Sequence, residues 1–149
     1  MIKIRRMEKK DVEAVYSLGT SEERFRVGGD GAVFWPRGQL SDWVKSKTDV
    51  LLVAEDNDKI VGYALSQYHA PTKKAVFENL HVSPEYRGQG VGSQLTDQLV
   101  AHLKKQGAVY ICALVEPNNE AILNTLTQKG FEKGKTMRWL GLNLNDVKN

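Results

Sequence analysis

Residues 78–95 read ENLHVSPEYRGQGVGSQL, and this stretch constrains the fold more than any other part of the 149-residue chain. An apolar run with strand character, Ala75–Val82, enters a turn containing Pro84. Glycines then fall on alternate positions, Gly88, Gly90 and Gly92. Val91, Leu95, Leu99 and Leu103 recur four apart, which is the apolar stripe of an amphipathic helix. A strand that feeds a helix through glycines has one obvious chemical use. Glycine lets a ligand approach the main chain closely, because no Cβ stands in the way. The free N–H groups at a helix start favour negative charge. The segment is therefore a candidate cradle for a phosphate or diphosphate.

Spacing narrows the choice. The dinucleotide fingerprint G-x-G-x-x-G, started at Gly88, ends on Ser93 and fails. A P-loop needs Lys and Ser or Thr directly after its last glycine, and none of Gly88, Gly90 and Gly92 is followed that way. What stands is Arg87-Gly88-Gln89-Gly90-Val91-Gly92, or R-x-x-G-x-G. With Leu80 and Val82 before it, Pro84 and Tyr86 in the turn, and Leu95 and Leu99 after it, this resembles the acetyl-CoA motif of the GNAT superfamily of N-acetyltransferases.

The rest of the chain alternates strand and helix. Ile2 and Ile4 suggest a first strand, and Asp11 suits the cap of a helix carrying Val12, Val15 and Leu18. Residues 19–39 are irregular, glycine-rich and aromatic. A short helix is expected around Leu40, Trp43 and Val44. Two apolar runs, 50–55 and 60–68, flank Asp56-Asn57-Asp58-Lys59 and predict a β-hairpin. Pro71–Lys74 is a second turn. Ala108–Val115 reads as a continuous buried strand, and Asn119–Lys129, closed by Gly130, as a helix. Phe131 and Met137–Leu144 suggest a final strand pair. This order resembles the GNAT fold over nearly the whole chain. The segment Asn119-Glu120-Ala121…Lys129-Gly130-Phe131 resembles the family's C-terminal signature. The expectation is one α/β domain over residues 1–149, with a largely antiparallel sheet splayed between its fourth and fifth strands and helices on both faces.

The resemblance implies acetyl transfer from acetyl-CoA to an amine of a small molecule or peptide. It assigns the coenzyme to the backbone of Leu80, His81 and Val82, to the loop Arg87, Gly88, Gln89, Gly90, Val91, Gly92 and Ser93, and to Asn119, which also suits a helix N-cap. Strand periodicity sets residues 76, 78, 80 and 82 on one face, so Glu78 sits in an apolar row. Burial there would raise its pKa toward that of a useful general base. Glu116 is a weaker second choice, and a water relay a third. Many family members carry a Tyr four residues before the Gly of the Gly-Phe pair; here that position is Leu126, which donates no proton. Nothing in the sequence places Tyr86, Tyr110 or Cys112 as a substitute. Leu114 stands where ribosomal-protein acetyltransferases tend to have Glu. Glu22, Glu23 and Asp30, among Phe25, Phe34 and Trp35, are candidates for the acceptor wall. Two alternatives stay open: a non-catalytic CoA-binding module, and a transferase using a longer acyl-CoA.

Composition excludes other classes. With 41% hydrophobic and 26% charged residues the chain supports a core and a soluble surface. No apolar run reaches the ~18 residues of a membrane span, and MIKIRRMEKK has no apolar signal region. One cysteine, Cys112, excludes an internal disulfide framework and fits the cytoplasm. His69, His81 and His102 form no metal-ligand cluster with it. A net charge of +3, without basic runs interleaved with aromatics, suits a polyanionic small ligand and argues against nucleic acid. Open sheet edges suit a homodimer.

Overall fold

The computed structural model describes residues 1–22, 34–138, 140–142 and 144. Five strands lie in sequence order across one sheet: β1 (Lys3–Arg6), β2 (Val50–Asp56), β3 (Lys59–His69), β4 (Lys74–Val82) and β5 (Tyr110–Ala113). The first four pair antiparallel and β4 pairs with β5 in parallel. A parallel pair needs a long crossover, and helix α3 (Val91–Lys105) supplies it. Helices α1 (Val12–Thr20) and α2 (Arg37–Trp43) cover one face; α3 and α4 (Glu120–Gln128) cover the other.

Pleating explains why β2 is apolar throughout. Val50, Leu52 and Ala54 pack toward α3, while Leu51 and Val53 pack toward α1 and α2. The α3 stripe behaves as its period predicts: Val91, Leu95, Leu99 and Leu103 are all fully buried. Each such side chain contributes about 1.5–3 kcal/mol by leaving water. The hairpin turn places Asn57 at φ 48° and Asp58 at φ 63°, the paired left-handed residues of a type I′ turn.

Several expectations change. Asp11 precedes α1, but its carboxylate does not cap that helix. It accepts from Arg5 Nη1 at 2.7 Å and Nη2 at 2.9 Å, and from the Glu8 amide at 2.8 Å. Arg5 also pairs with Glu55, so one guanidinium ties β1 to both β2 and the start of α1. The strand expected over 108–115 is only four residues long and half-exposed, because β5 is the outermost strand and its far edge has no described neighbour. The final strand pair is not formed by the described residues of 131–144, where Met137, Leu140, Leu142 and Leu144 are exposed. That expectation rested on apolar residues alone, and residues 139 and 143 lie outside the described ones.

The largest difference concerns β4. Leu65 pairs with Asn79 and Ser66 with Phe77, so Glu78 has no partner on β3 and forms a β-bulge. The extra residue inverts the pleat. Ala75 and Phe77 pack toward α3 below the bulge, and Leu80 and Val82 do so above it. The proposed common face of 76, 78, 80 and 82 is therefore broken at Glu78.

The Arg5–Asp11–Glu55 cluster generates a stability prediction. Burial pushes the Asp11 pKa up, but the Arg5 hydrogen bond, the Glu8 amide and the Arg5 charge outweigh it, so the carboxylate titrates below its ordinary value. A lowered folded-state pKa stabilises the protein above the unfolded value of about 4, and this is lost as pH falls below it. In urea titrations Asp11→Asn is expected to cost about 3 kcal/mol at pH 7, with a smaller difference from wild type at pH 3.

Candidate active site

The bulge coincides with the point where the sheet opens. The last β4–β5 pair is Phe77 with Ala113; beyond it β4 runs on to Val82 without β5 beside it. A cleft of about 640 Å3 occupies the gap. The splayed end of β4 forms one wall, through Glu78, Leu80, His81 and Val82. The segment after β5, through Leu114, Val115 and Glu116, forms another, and Asn119, Ile122, Thr125 and Leu126 at α4 form a third. The floor is the loop leading into α3, with Arg87, Gly88, Gly90, Val91, Gly92 and Ser93.

That floor has the properties of an anion cradle. Gly88 has φ 73° and Gly90 φ 80°, conformations that side-chain-bearing residues rarely adopt. A Cβ built at either position meets nothing within 4 Å, so it would enter unfilled space. The first α3 bond runs from the Gln94 amide to the Gly90 carbonyl at 3.0 Å. The amides of Val91, Gly92 and Ser93 ahead of it have no helical acceptor. Arg87 donates from Nε to the Val82 carbonyl at 2.8 Å, which fixes its guanidinium at the end of β4.

Glu78 faces the cleft from an apolar wall, and burial pushes its pKa up. His81 is buried, only 6% exposed. It stacks on Tyr63 at 5.6 Å between centroids and 23° between planes. Burial, with the Arg87 charge, pushes its pKa down against a smaller opposing effect of Glu22. The imidazole is therefore neutral near pH 7.

Of the residues that the sequence assigns to the coenzyme, Gln89 alone is absent from the cleft wall; its side chain donates to the Glu85 carbonyl at 3.0 Å. Asn119 caps α4, its Oδ1 accepting from the Ile122 amide at 3.5 Å, and also lines the cleft. Leu126 is buried against the core at the position of the family tyrosine. Tyr86 lines the cleft, but its hydroxyl donates to Asp56 at 3.2 Å. Tyr110 and Cys112 are exposed on β5 and lie outside the cleft wall. Phe34 is core rather than acceptor wall, packing on Tyr63 at 5.7 Å. Trp35 donates to Asn79 Oδ1 at 2.7 Å and meets Trp43 edge-on at 5.0 Å. Glu22 does line the cleft; Glu23, Phe25 and Asp30 lie outside the described residues. Phe77, Ala113, Val115 and Thr125 were not singled out, because nothing in their local sequence separates a cleft wall from a core position.

The profile of the family described as Acetyltransferase (GNAT) family matches residues 13–134. The chain belongs to this family. An acetyltransferase of Pectobacterium atrosepticum is 27% identical over 131 residues, 88% of each chain. N-alpha-acetyltransferase 30 of Schizosaccharomyces pombe is 31% identical over 98 residues, 64% of this chain and 65% of that one. The structure of YncA, a putative acetyltransferase from Salmonella typhimurium solved with acetyl-CoA, superposes with a TM-score of 0.80 at 19% identity, over 97% of this chain and 87% of that one. Membership makes the protein an acetyl-CoA-dependent acetyltransferase. Among the described residues no helix is long and apolar enough to cross a membrane.

Gly90→Glu tests the cradle. The left-handed backbone makes any side chain there cost about 1–2 kcal/mol of stability, while the added carboxylate occupies the anion position. Calorimetry is expected to find no CoA binding by a variant whose circular dichroism remains native.

Proposed function

We propose that the protein transfers the acetyl group of acetyl-CoA to a primary amine of a small molecule or a peptide, with Glu78 as general base. The observation that carries this reading is the coincidence of the bulge at Glu78 with the last β4–β5 pair, which aims a carboxylate into the cleft where the strands part. When bound, acetyl-CoA supplies an activated acyl carbon. The chain's own groups do the rest. The loop amides from Gly88 to Ser93 hold the diphosphate, and Arg87 adds positive charge beside it. The backbone of Leu80, His81 and Val82 orients the pantetheine arm, with Asn119 across the cleft. Glu78 takes a proton from the incoming ammonium, directly or through water, and its raised pKa brings it closer to the pH at which the amine must lose that proton.

Among the described residues no cleft-lining tyrosine is free to protonate the leaving thiolate, since the Tyr86 hydroxyl is committed to Asp56 and the usual tyrosine position is Leu126. Solvent protonates it instead. The same reading places the protein in the cytoplasm, supported by its single exposed thiol, and the outer edge of β5, which has no described neighbour, supports association of two copies.

A panel of primary amines, assayed for amine-dependent CoA release, tests the acceptor class. Glu78→Gln is expected to lower kcat/KM by about 100-fold or more and to abolish the acid limb of the pH profile. In the wild type that limb lies above the ordinary glutamate range, because burial raises the pKa. A variant with wild-type rates from pH 5 to 9 would exclude Glu78 as base.

A further inference from the structure

Glu22 and Arg87 face each other across one end of the cleft. Glu22 follows α1, and Arg87 opens the glycine loop. Both line the cleft, and Arg87 Nη2 lies 3.9 Å from Glu22 Oε2. The Val82 carbonyl anchors the guanidinium directly ahead of the Gly88–Ser93 amides. The Glu22 charge also acts within the cleft: beyond the dominant effect of burial, it raises the pKa of Tyr63 and of His81, while Arg87 lowers that of His81.

These two charges act oppositely on a diphosphate held by the loop. Arg87 attracts it. Glu22 repels it and competes for the same guanidinium. A 3.9 Å pair with Arg87 about half-exposed is weak enough to be exchanged by a dianion. We propose that Glu22 is a specificity-determining residue that changes partners: it pairs with Arg87 in the free protein, yields the guanidinium to the coenzyme diphosphate, and then presents its charge to the ammonium of the acceptor. This rests on the reading of the cleft as an acetyl-CoA and amine site. Its consequence is a coupling between coenzyme and acceptor. By linkage each ligand then tightens the other.

The test is a CoA titration by calorimetry with wild type, Glu22→Gln, Glu22→Asp, Arg87→Gln and the Glu22→Gln/Arg87→Gln double variant. At low salt Glu22→Gln is expected to bind CoA roughly two- to five-fold more tightly than wild type. The gain should vanish near 0.5 M salt through screening, shrink in the Arg87→Gln background, and be absent in Glu22→Asp. In turnover of whichever amine proves active, Glu22→Gln should raise KM by a larger factor than it lowers kcat. A purely structural Glu22 would not produce a salt-dependent gain in affinity. CoA binding by Glu22→Gln that equals or falls below wild type at low salt overturns the proposal, as does an unchanged acceptor KM. If wild type itself binds no CoA, the failure belongs to the coenzyme reading of the cleft, and the comparison among variants keeps the two failures apart.

Discussion

The separation of β4 from β5 governs the rest of the structure. The two strands pair only from Lys74–Tyr110 to Phe77–Ala113, and the sheet is then continuous on one side of β4 and open on the other. An unpaired edge carries backbone donors and acceptors that need partners. Here that edge walls a cleft rather than bulk solvent. The bulge at Glu78 sits at the same level. It turns the pleat over, so that Leu80 and Val82 join the α3 core while His81 stacks on Tyr63 across the sheet. One inserted residue therefore fixes both the direction of a carboxylate and the packing of the strand beyond it.

Electrostatics divides the opened space. The α3 N-terminus and Arg87 form a positive end, held rigidly by the Val82 carbonyl. Glu78 and Glu116 supply acid along the walls, and Glu22 stands where the two regions meet. The aromatic set beneath the cleft does a different job. Phe34, Tyr63 and His81 pack in sequence, and Phe34 rests so closely on Gly19 that a Cβ there would lie 2.3 Å from its ring. These contacts tie the segment before α2 to the strand that forms the cleft wall.

The sequence made the cradle legible because its signals are local. A left-handed turn demands glycine, a helix start follows, and both are written within residues 87–95. The hairpin at Asn57-Asp58 and the α3 stripe were readable for the same reason. The role of Asp11 is not legible locally, because the Arg5 guanidinium that it meets is shared with Glu55 only when β1 pairs with β2. The residues of 108–115 read as a buried strand, but burial depends on a neighbour and β5 has none described on its outer side.

Local periodicity and turn chemistry thus determined the order of strands and helices and the glycine loop that opens α3, because each depends on residues a few positions apart. The partnership of Glu78 with the opened sheet, the burial of His81, and the meeting of Glu22 with Arg87 were decided by the tertiary structure. Each requires segments distant in sequence to share one cleft, and no spacing along the chain encodes a bulge whose register is set by the strand on the other side.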